Sequence, residues 1–381
     1  MDLRYGMNPH QQPATANPVD DASPPVRVLH GQPSYINMLD ALEAWQLVRE
    51  AADALGRPAA ASFKHLSPAG AALAGPLDET MTETYGLGAS PVGMLTSAYV
   101  RARDTDPKSS YGDFAAVSAP VDAELAVLLR RLVCDGIVAP GYEPGTVATL
   151  SAKKNGTFLV LEADPAHRPP AREIREVHGM RFTQTWDDAV PNRQTLADVR
   201  VGTVPDHALD DLLLGLIVAR HTQSNSVAYV RGGMTLGVGA GQQSRVDCVR
   251  LAGAKSDTWW LRRHPRVRAL HIGQNPKIQD SINDEIQYLD TGAAGSGLPP
   301  RPGGAPPLTA LERAQWLSRL DEVSLASDGA LPFPENIVHA RRHGVRYVAE
   351  PGGSIRSAEV IAACHDQEVA LVHTGLRLFR H

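Results

Sequence analysis

The segment PAAASFKHLSPAG, residues 58–70, decides how the fold of this chain is predicted. Its apolar first half predicts a buried β-strand that delivers Lys64 and His65 to its carboxyl end, and Ser67-Pro68 predicts a tight turn into an alanine-rich helix. Ligands bind at such strand ends in open α/β sheets. Because adjacent cations disfavour each other's charged form, we expect His65 to stay neutral as a general base, with Lys64 supplying positive charge. A surface Lys-His dipeptide without a role is the simpler interpretation, and spacing alone favours it somewhat.

Apolar stretches of strand character alternate with longer helical patterns elsewhere in the chain, which predicts an α/β fold. The predicted strands cover residues 59–63, 115–117, 226–230, 345–349 and 369–372, and the predicted helices cover residues 38–55, 123–133 and 357–364. Near the end of the chain, the glycines at 352 and 353 preclude helix, and the Ser357 hydroxyl can accept the free N–H groups of the helix that follows. We therefore expect a strand, a glycine loop and a helix in that order.

Composition narrows the class of protein. The chain has 381 residues, is 43% hydrophobic and 21% charged, and carries a formal net charge of -5, so nucleic acid and acidic membranes are not expected partners. Its three cysteines, Cys134, Cys248 and Cys364, lack zinc-ligand spacing and are predicted to be reduced core residues, with no metal site. A charged N-terminus and the absence of a membrane-length apolar window predict a cytoplasmic protein.

Two stretches interrupt the alternation of strands and helices. Residues 289–308, rich in glycine and proline, are predicted to lack regular structure and to form a mobile surface excursion. A polar, proline-bearing stretch at residues 164–206 separates two halves that each have strands and helices. We therefore place a domain boundary near Ala197, which gives domains 1–196 and 197–381.

Two glycine-rich turns are candidate ligand sites. Residues 224–245, SNSVAYVRGGMTLGVGAGQQSR, predict a hairpin whose second strand runs through glycines into a helix, with Arg245 in the first turn. Free N–H groups and a guanidinium could share a phosphate there, although a solvated arginine is the simpler reading. The glycine spacing does not fit a dinucleotide fingerprint. The turn EPGGS, residues 350–354, could hold an anion or a heterocycle edge through backbone donors, but many such turns bind nothing.

Two further basic segments are ambiguous. The cluster RRHPRVR, residues 262–268, lies beside Trp259 and Trp260 and could serve a phosphate, but its shortness favours a solvated helix end with a tryptophan anchor. The C-terminal segment TGLRLFRH, residues 374–381, is unusual for a frayed tail. A packed last strand and a functional segment explain it about equally well.

Six motifs in order resemble the transformylase part of the bifunctional purine enzyme whose other half is inosine monophosphate (IMP) cyclohydrolase. They are LRYGMNPHQ (3–11), SFKHLSPAG (62–70), SYGDF (110–114), SNS with GAGQQSR (224–226 and 239–245), PGGS (351–354) and LRLF (376–379). The resemblance implies transfer of a formyl group from 10-formyltetrahydrofolate to the 5-amino group of 5-aminoimidazole-4-carboxamide ribonucleotide (AICAR), in de novo purine biosynthesis. The products are formyl-AICAR and tetrahydrofolate.

The resemblance also implies roles for individual residues. His65 removes the amine proton, Lys64 stabilises the tetrahedral oxyanion or protonates the departing folate nitrogen, and Asn225 orients the pair. The implied ribonucleotide-binding residues are Arg4, Tyr5, Gly112, Asp135, Arg245 and Arg377. The implied folate-side residues are Val246, Ser354 and Ile355, with Glu335 as the acceptor for the pterin.

Larger features follow from the same resemblance. It implies two cytidine-deaminase-like three-layer subdomains without the deaminase zinc, in an intertwined homodimer whose active sites form across the interface. The sequence lacks the H-x-E and P-C-x-x-C zinc signature. A monovalent cation is known in the family, and the sequence does not establish whether one binds here. The chain begins at the Leu-Arg-Tyr-Gly motif, so we expect the cyclohydrolase domain to be absent and ring closure to occur elsewhere.

One segment departs from the family pattern. Where the family usually has Phe-Phe-Pro-Phe-Arg-Asp, this chain has ALPFPE at residues 330–335. An aromatic wall is missing and an arginine has become proline, which puts the acceptor substrate in doubt. One alternative is a paralogue that formylates an AICAR-like aminoheterocyclic carboxamide in a specialised nucleoside pathway. Another is a non-catalytic ligand-binding homologue, against which the retention of Lys64, His65 and Asn225 argues.

Overall fold

A computed structural model describes residues 1–19, 24–88, 90–271, 277–291 and 305–381. Strands and helices alternate along these ranges, which confirms the α/β class. The strands are β1 (Val26–His30), β2 (Ala59–Lys64), β3 (Ser67–Leu73), β4 (Asp113–Val117), β5 (Cys134–Ala139), β6 (Leu159–Ala163), β7 (Arg172–Val177), β8 (Met180–Thr185), β9 (Asp198–Val201), β10 (Val227–Arg231), β11 (Met234–Gly239), β12 (Val323–Ser327), β13 (Val345–Glu350) and β14 (Ala370–His373). The α-helices are α1 (Tyr35–Leu55), α2 (Glu79–Thr84), α3 (Met94–Asp104), α4 (Ala123–Arg131), α5 (Thr146–Ser151), α6 (Asp206–Arg220), α7 (Arg245–Leu261), α8 (Pro265–Arg268), α9 (Ile278–Thr291), α10 (Ala310–Leu317), α11 (Glu335–Arg342) and α12 (Ser357–Asp366). Short 3₁₀ helices span Lys153–Gly156, Arg193–Leu196 and Ala269–His271.

Twelve strands form one mixed sheet in the order β1-β6-β5-β4-β2-β3-β11-β10-β12-β13-β14-β9. Read inward from either edge, the two halves follow one plan: an antiparallel outer strand, three parallel strands and a central hairpin. The halves meet where β3 pairs antiparallel with β11. This repeat is a property of the strand order. The domain boundary near Ala197 and the cytidine-deaminase-like character of each half stay predictions.

The sheet lies between two helical layers. Helices α1 and α6 supply apolar side chains to the core on one face of the sheet, and helices α3, α4, α7 and α12 supply those on the other face. Cys134, Cys248 and Cys364 are buried and unpaired, which confirms their prediction as reduced core residues. No helix among the described residues has the length and apolar character needed to cross a membrane.

The segment after His65 is a strand, so the predicted alanine-rich helix is wrong. β2 and β3 form a hairpin whose two-residue turn is His65 and Leu66. The physical reason lies in the packing of α3 against β3. A Cβ atom added to Gly70 would lie 2.2 Å from the carbonyl oxygen of Ala102. Small residues in β3 therefore let a helix approach the sheet closely, and the alanines serve a buried strand.

The other predicted glycine segments have the expected order. Strands β10 and β11 form the predicted hairpin, and α7 begins at Arg245. Strand β13, a glycine loop and α12 also follow one another as predicted, but the predicted cap is wrong. Arg356 occupies the N-cap position of α12, so Ser357 is already the first helical residue. The buried Ser357 hydroxyl has no hydrogen-bond partner within the described part of the chain.

The basic cluster at residues 262–268 is not a solvated helix end. Arg262 has a side chain that is 0% exposed and is paired with Asp104 and Glu285 at 2.7 and 2.9 Å. Arg263 lies over the Trp259 ring at 3.5 Å and also binds Asp104. The sequence prediction failed because Asp104 and Glu285 lie far from these arginines in the chain. Burial of the cluster is made possible by these carboxylates.

The two stretches that interrupt the alternation both contain regular structure, and for the first of them this corrects the prediction. Residues 289–291 are the end of α9, contrary to the predicted absence of regular structure from residue 289 onward, and residues 292–304 lie outside the described residues. The polar stretch at residues 164–206 contains a separate two-stranded sheet of β7 and β8. This hairpin exposes four large apolar side chains, those of Ile174, Val177, Met180 and Phe182.

Candidate active site at the centre of the sheet

The central hairpin presents His65 on an unusual turn. Both turn residues have positive φ, 54° for His65 and 62° for Leu66, which are the φ signs of a type I′ turn. Residues with large side chains rarely adopt this conformation. His65 is exposed at the tip of the turn and immediately follows Lys64, the last residue of β2. The strand end therefore carries the predicted pair.

A buried carboxylate binds the backbone of this turn. The Leu66 N–H donates to Oδ1 of Asp40 at 2.7 Å, and Asp40, on α1, is 5% exposed. Burial raises the pKa of Asp40, and hydrogen bonding from Leu66 and the positive potential of His65 oppose this rise. The negative charge of Asp135 adds to the rise. His65 and Asp135 thus both lie close enough to Asp40 to affect the pKa of its carboxyl group.

Lys64 connects the hairpin to the SYGDF motif. Its Nζ donates to the carbonyl oxygen of Tyr111 at 2.6 Å, directly before Gly112. A Cβ atom added to Gly112 would lie 3.8 Å from Oδ1 of Asp135, which is ion-paired with Lys154. The loop before β4 and the start of β5 therefore border the Lys-His pair.

A buried network fixes the strands behind this cluster. Asp113, the first residue of β4, accepts hydrogen bonds from the Ser62 hydroxyl at 2.7 Å and the Tyr99 hydroxyl at 3.0 Å. It is also paired with Arg103, and both side chains are buried. Because Asp113 follows Gly112 and Ser62 lies in β2, the network holds the two strands that carry the site in one arrangement.

Asn225 lies in a second cluster contributed by the other half of the sheet. Its Nδ2 donates to the carbonyl oxygens of Gln242 and Gln243 at 3.0 and 3.2 Å. Its Oδ1 accepts from Nη2 of Arg245 at 2.6 Å. The side-chain amide of Asn225 is therefore held at both ends, between the start of β10 and the start of α7.

Arg245 is buried, and its guanidinium is occupied by protein groups. It is 7% exposed, ion-paired with Asp328 and donates to the Ser327 hydroxyl at 3.0 Å. A role in phosphate binding stays a prediction for Arg245, whereas its contact with Asn225 is a feature of the fold. Asp328 was not singled out from the sequence. Its signal is a carboxylate directly after a buried strand, β12.

The C-terminal segment reaches this second cluster. Of the two interpretations left open for residues 374–381, a packed last strand is wrong, because β14 ends at His373 and the residues beyond it have no regular structure. The segment is nevertheless held, since the Leu378 N–H donates to the Asp328 carbonyl at 2.8 Å and the Ser224 N–H donates to the Arg380 carbonyl at 2.9 Å. The exposed Arg377 directly precedes the first of these anchors.

The two clusters are joined directly. The Gln223 N–H donates to the Ser67 hydroxyl at 3.3 Å, which links the residue before Ser224 to the first residue after the His65 turn. The N-terminal segment is tied to α1, the helix that carries Asp40. There the Tyr35 N–H donates to the Tyr5 carbonyl at 3.1 Å.

Arg4 lies next to Tyr5 at the surface. Its Nη2 donates to the Tyr5 hydroxyl at 2.9 Å, and its guanidinium lies 4.8 Å from the centre of the Tyr5 ring. This pair is the predicted nucleotide-binding couple of the N-terminal motif, and the structure leaves Arg4 exposed.

The predicted folate-side residues lie at the starts of neighbouring elements. Val246 is the second residue of α7, Glu335 begins α11, and Ser354 and the fully exposed Ile355 follow the glycine turn after β13. Buried Glu350 accepts a hydrogen bond from the Leu331 N–H at 3.1 Å. Burial raises the pKa of Glu350, and hydrogen bonds from Gly352 and Leu331 oppose this. Glu350 thus connects the ALPFPE segment to the glycine turn.

Comparison with known proteins identifies the family of the chain. The family model described as AICARFT/IMPCHase bienzyme matches residues 1–255, which include the His65 hairpin, Asp135, Asn225 and Arg245. The chain belongs to this family.

Relatives in the family match the whole chain. A bifunctional purine biosynthesis protein PurH from Dinoroseobacter shibae is 32% identical over 384 residues. Proteins of the same name from a Ruegeria species and from Chlorobium phaeobacteroides are 31% and 30% identical over 385 and 391 residues. In each comparison the match covers 100% of this chain and 59% of the relative.

For this AICARFT/IMPCHase family member, the structure brings together some predicted site residues and separates others. Lys64, His65, Gly112 and Asp135 form one cluster, and Asn225, Arg245 and Arg377 lie around the adjoining one. No hydrogen bond or ion pair in the described part of the chain joins the folate-side residues directly to His65. Sequence reasoning missed Asp40, whose signal is a carboxylate within the apolar helix sequence MLDAL at residues 38–42.

Proposed function

We propose that this chain is a folate-dependent formyltransferase that transfers a formyl group from 10-formyltetrahydrofolate to the 5-amino group of AICAR. The single observation that supports this most is the exposed His65 beside Lys64, on a turn that adjoins the Asn225 cluster. An imidazole and an ammonium at one strand end supply a base and a positive charge to the same reacting centre. Membership in a family whose relatives are named purine biosynthesis proteins supports the same reaction.

The chemistry requires both groups. The AICAR amine is a weak nucleophile because its lone pair is delocalised into the ring and the carboxamide. In the proposed reaction the amine nitrogen forms a bond to the formyl carbon while His65 accepts the amine proton. Lys64 stabilises the tetrahedral oxyanion, or protonates the folate nitrogen as its bond to the formyl carbon breaks. Held by Arg245, Asn225 orients the reacting groups.

The charges of the site suggest how the ribonucleotide is held. Arg4 and Arg377 are exposed guanidinium groups, so we assign the phosphate to them, since arginine binds phosphate through paired N–H donors. Arg245 is not assigned a direct contact with the nucleotide, because its guanidinium holds the side chain of Asn225. Asp135 and the backbone at Gly112 are assigned to the ribose side. Val246, Ser354, Ile355 and Glu335 are assigned to the folate, as is the surface at Phe333.

A homodimer with shared active sites is part of this proposal. The β7–β8 hairpin exposes Val177, Met180 and Phe182 on one face, and such clustered apolar side chains are typical of interaction surfaces. Arg175 of the hairpin donates to the carbonyl of His381, the last residue of the C-terminal segment that carries Arg377. A second copy bound at the hairpin would therefore lie next to the site. The cytidine-deaminase-like identity of the halves and cytoplasmic residence belong to this proposal as well, whereas binding of a monovalent cation stays an open question of the family resemblance.

The first test is a direct assay. Purified protein is supplied with 10-formyltetrahydrofolate and AICAR, and release of tetrahydrofolate is followed by absorbance. We expect turnover by the wild type and at least a 100-fold loss of kcat in His65→Ala. The matched control is His365→Ala, an exposed histidine in the last turn of α12, which should keep wild-type turnover. Unchanged turnover in His65→Ala would refute the general-base assignment.

The ALPFPE segment supports a second candidate, a paralogue that acts on an AICAR-like aminoheterocyclic carboxamide. Leu331 is buried in the core and Ala330 is small, so neither residue offers the aromatic wall that the family usually has. A panel of acceptor ribonucleotides compared by kcat/KM separates the candidates. Preference for AICAR supports the main proposal, and preference for an analogue supports the paralogue. A wild type that binds folate and AICAR but turns over no acceptor would indicate the non-catalytic homologue.

A further inference from the structure

We propose that Asp40 is a positioning residue whose carboxylate holds the His65-Leu66 turn in its left-handed conformation and thereby fixes where the imidazole points. The inference rests on the proposed role of His65 in formyl transfer. Asp40 does not contact a substrate in this scheme. It acts through the backbone of the turn.

The turn needs such support because its sequence does not favour its shape. A two-residue hairpin turn with positive φ at both positions is normally made by Asn-Gly or Gly-Gly, since a Cβ atom clashes with the backbone in this region. Here the two positions are histidine and leucine. Without an added restraint, the turn would favour other conformations, and His65 would move with it.

The second half of the sheet contains the same turn with glycines. Strands β10 and β11 are joined by Gly232 and Gly233, whose φ values are 61° and 77°. Their N–H groups donate to Asp211 at 2.8 and 2.6 Å. Asp211 is the sixth residue of α6, and Asp40 is the sixth residue of α1. The equivalent helix of each half therefore places a carboxylate on the equivalent hairpin turn.

The comparison between the halves shows what is special about the first one. Asp211 caps a turn that glycine makes accessible without strain, whereas Asp40 caps a turn in which His65 and Leu66 have taken the glycine positions. A histidine at the tip of this turn is exposed, but its backbone has an unfavourable positive φ. The carboxylate offsets the cost of that conformation.

The surroundings of Asp40 give it no competing partner. It is buried, and its side chain forms no ion pair with a lysine, arginine or histidine within the described ranges. The backbone hydrogen bonds that it accepts come from the turn itself, from Leu66 at 2.7 Å and from His65. Buried carboxylates are usually paired with cations or satisfied by several donors. The helix that carries it is anchored by a capping box at Ser34 and Asn37. The carboxylate is thus a fixed acceptor aimed at the turn.

A double-mutant cycle tests the inference. Asp40→Ala should lower kcat at least tenfold while KM for AICAR and for 10-formyltetrahydrofolate changes less than threefold, because the binding residues are untouched. In a Leu66→Gly background the same Asp40→Ala change should lower kcat less than threefold, since glycine adopts the turn without the carboxylate. Asp40→Asn, which keeps an acceptor oxygen, should retain at least a third of wild-type kcat. Asp53→Ala, an exposed acid on the same helix, is the matched control and should behave as wild type.

Two results would overturn the inference while leaving the proposed function intact. One is an active wild type together with an Asp40→Ala variant whose kcat lies within twofold of the wild-type value. The other is an equal loss of kcat in both backgrounds, which indicates a general stability defect. An inactive wild type overturns the proposed function itself. Hydrogen exchange then tests, without turnover, whether the Asp40 carboxylate holds the turn. The Leu66 amide should exchange at least tenfold faster in Asp40→Ala than in the wild type. An unchanged exchange rate refutes the restraint of the turn by Asp40.

Discussion

Arg245 holds the side chain of Asn225, with Nη2 of the arginine 2.6 Å from Oδ1 of the asparagine, while the same guanidinium is paired with buried Asp328. One arginine therefore sets the orientation of a predicted catalytic amide and neutralises a buried carboxylate. These two tasks need the planar, multi-donor geometry of a guanidinium.

We expect Arg245→Lys to separate these two tasks. A lysine keeps the positive charge beside Asp328 but cannot donate in two fixed directions, so kcat should fall at least tenfold. Steady-state kinetics with AICAR and 10-formyltetrahydrofolate measures this loss. Arg250→Lys, an exposed arginine on the same helix, is the control. Wild-type kcat in Arg245→Lys would mean that Asn225 is oriented without the arginine.

The buried cluster around His221 predicts a pH-dependent stability. Its ring nitrogens bind Glu43 and Glu50, and Glu43 also binds Arg380 of the C-terminal segment. Burial disfavours the imidazolium, but Glu50 and Glu43 outweigh it and raise the pKa of His221 from 6.5 to about 9. Such a rise corresponds to a stabilisation of about 3 kcal/mol. A raised pKa means that this stability is complete below pH 6.5 and is lost as the pH rises through 9.

Chemical denaturation between pH 6 and pH 10 measures this effect. The wild type should lose stability across that range, and His221→Gln should be less stable at pH 6 and should lose less of its stability on going to pH 10. Glu43 and Glu50 act with the opposite sign: burial opposes their charge, yet bonds to His221 lower the pKa of both. Their contribution is present above pH 4.5 and is lost on acidification. Identical profiles for the wild type and His221→Gln would contradict the assignment.

Breaking the buried cluster at Arg262 should destabilise the fold without a specific effect on catalysis. Asp104→Ala leaves Arg262 and Arg263 without their shared carboxylate, and loss of one partner from a buried pair costs about 3–5 kcal/mol. Urea denaturation measures this cost. Arg200→Ala, which removes the exposed pair with Asp198, should change stability by less than about 1 kcal/mol. Similar values for the two variants would show that the buried cluster is not stabilising.

The exposed hairpin predicts the oligomeric state. Replacing Met180 and Phe182 together by aspartate places two charges on the face of the β7–β8 hairpin that also carries Val177, and should convert a dimer to a monomer in light scattering after gel filtration. If the active sites are shared, turnover should fall in parallel. Val19→Asp changes an exposed apolar residue elsewhere and should leave the dimer intact. A double variant that stays dimeric would exclude this hairpin as the interface.

Part of this architecture could be predicted from sequence, because local patterns carry it. The hairpin of β10 and β11 and the helix that begins at Arg245 follow from strand periodicity and glycine position. Strand β3 was mistaken for a helix, because alanine has high helix propensity whereas the need for small residues comes from the packing of α3 at Gly70. Tertiary contacts, and not local propensity, determine the secondary structure of such segments.

The site residues likewise divide into those that local sequence predicts and those that depend on tertiary contacts. The Lys-His pair could be located from its own sequence because a strand end is a local feature. The partners that position the site could not, since Asp40 lies 26 residues before Leu66 and Asp328 lies 83 residues after Arg245. Nothing local marks these carboxylates as partners of those residues. They become visible only when helix α1 and strand β12 are packed against the hairpins.

The repeated strand order has a consequence for stoichiometry. Two equivalent hairpin turns lie in one sheet, but a Gly-Gly turn at Gly232 offers no side chain for proton transfer, whereas the other turn offers His65. A framework present twice in each chain therefore provides one reactive centre. If the proposed function holds, the chain should bind a single nucleotide and a single folate, and the half with the glycine turn should contribute Asn225 and the folate side of the site but no base.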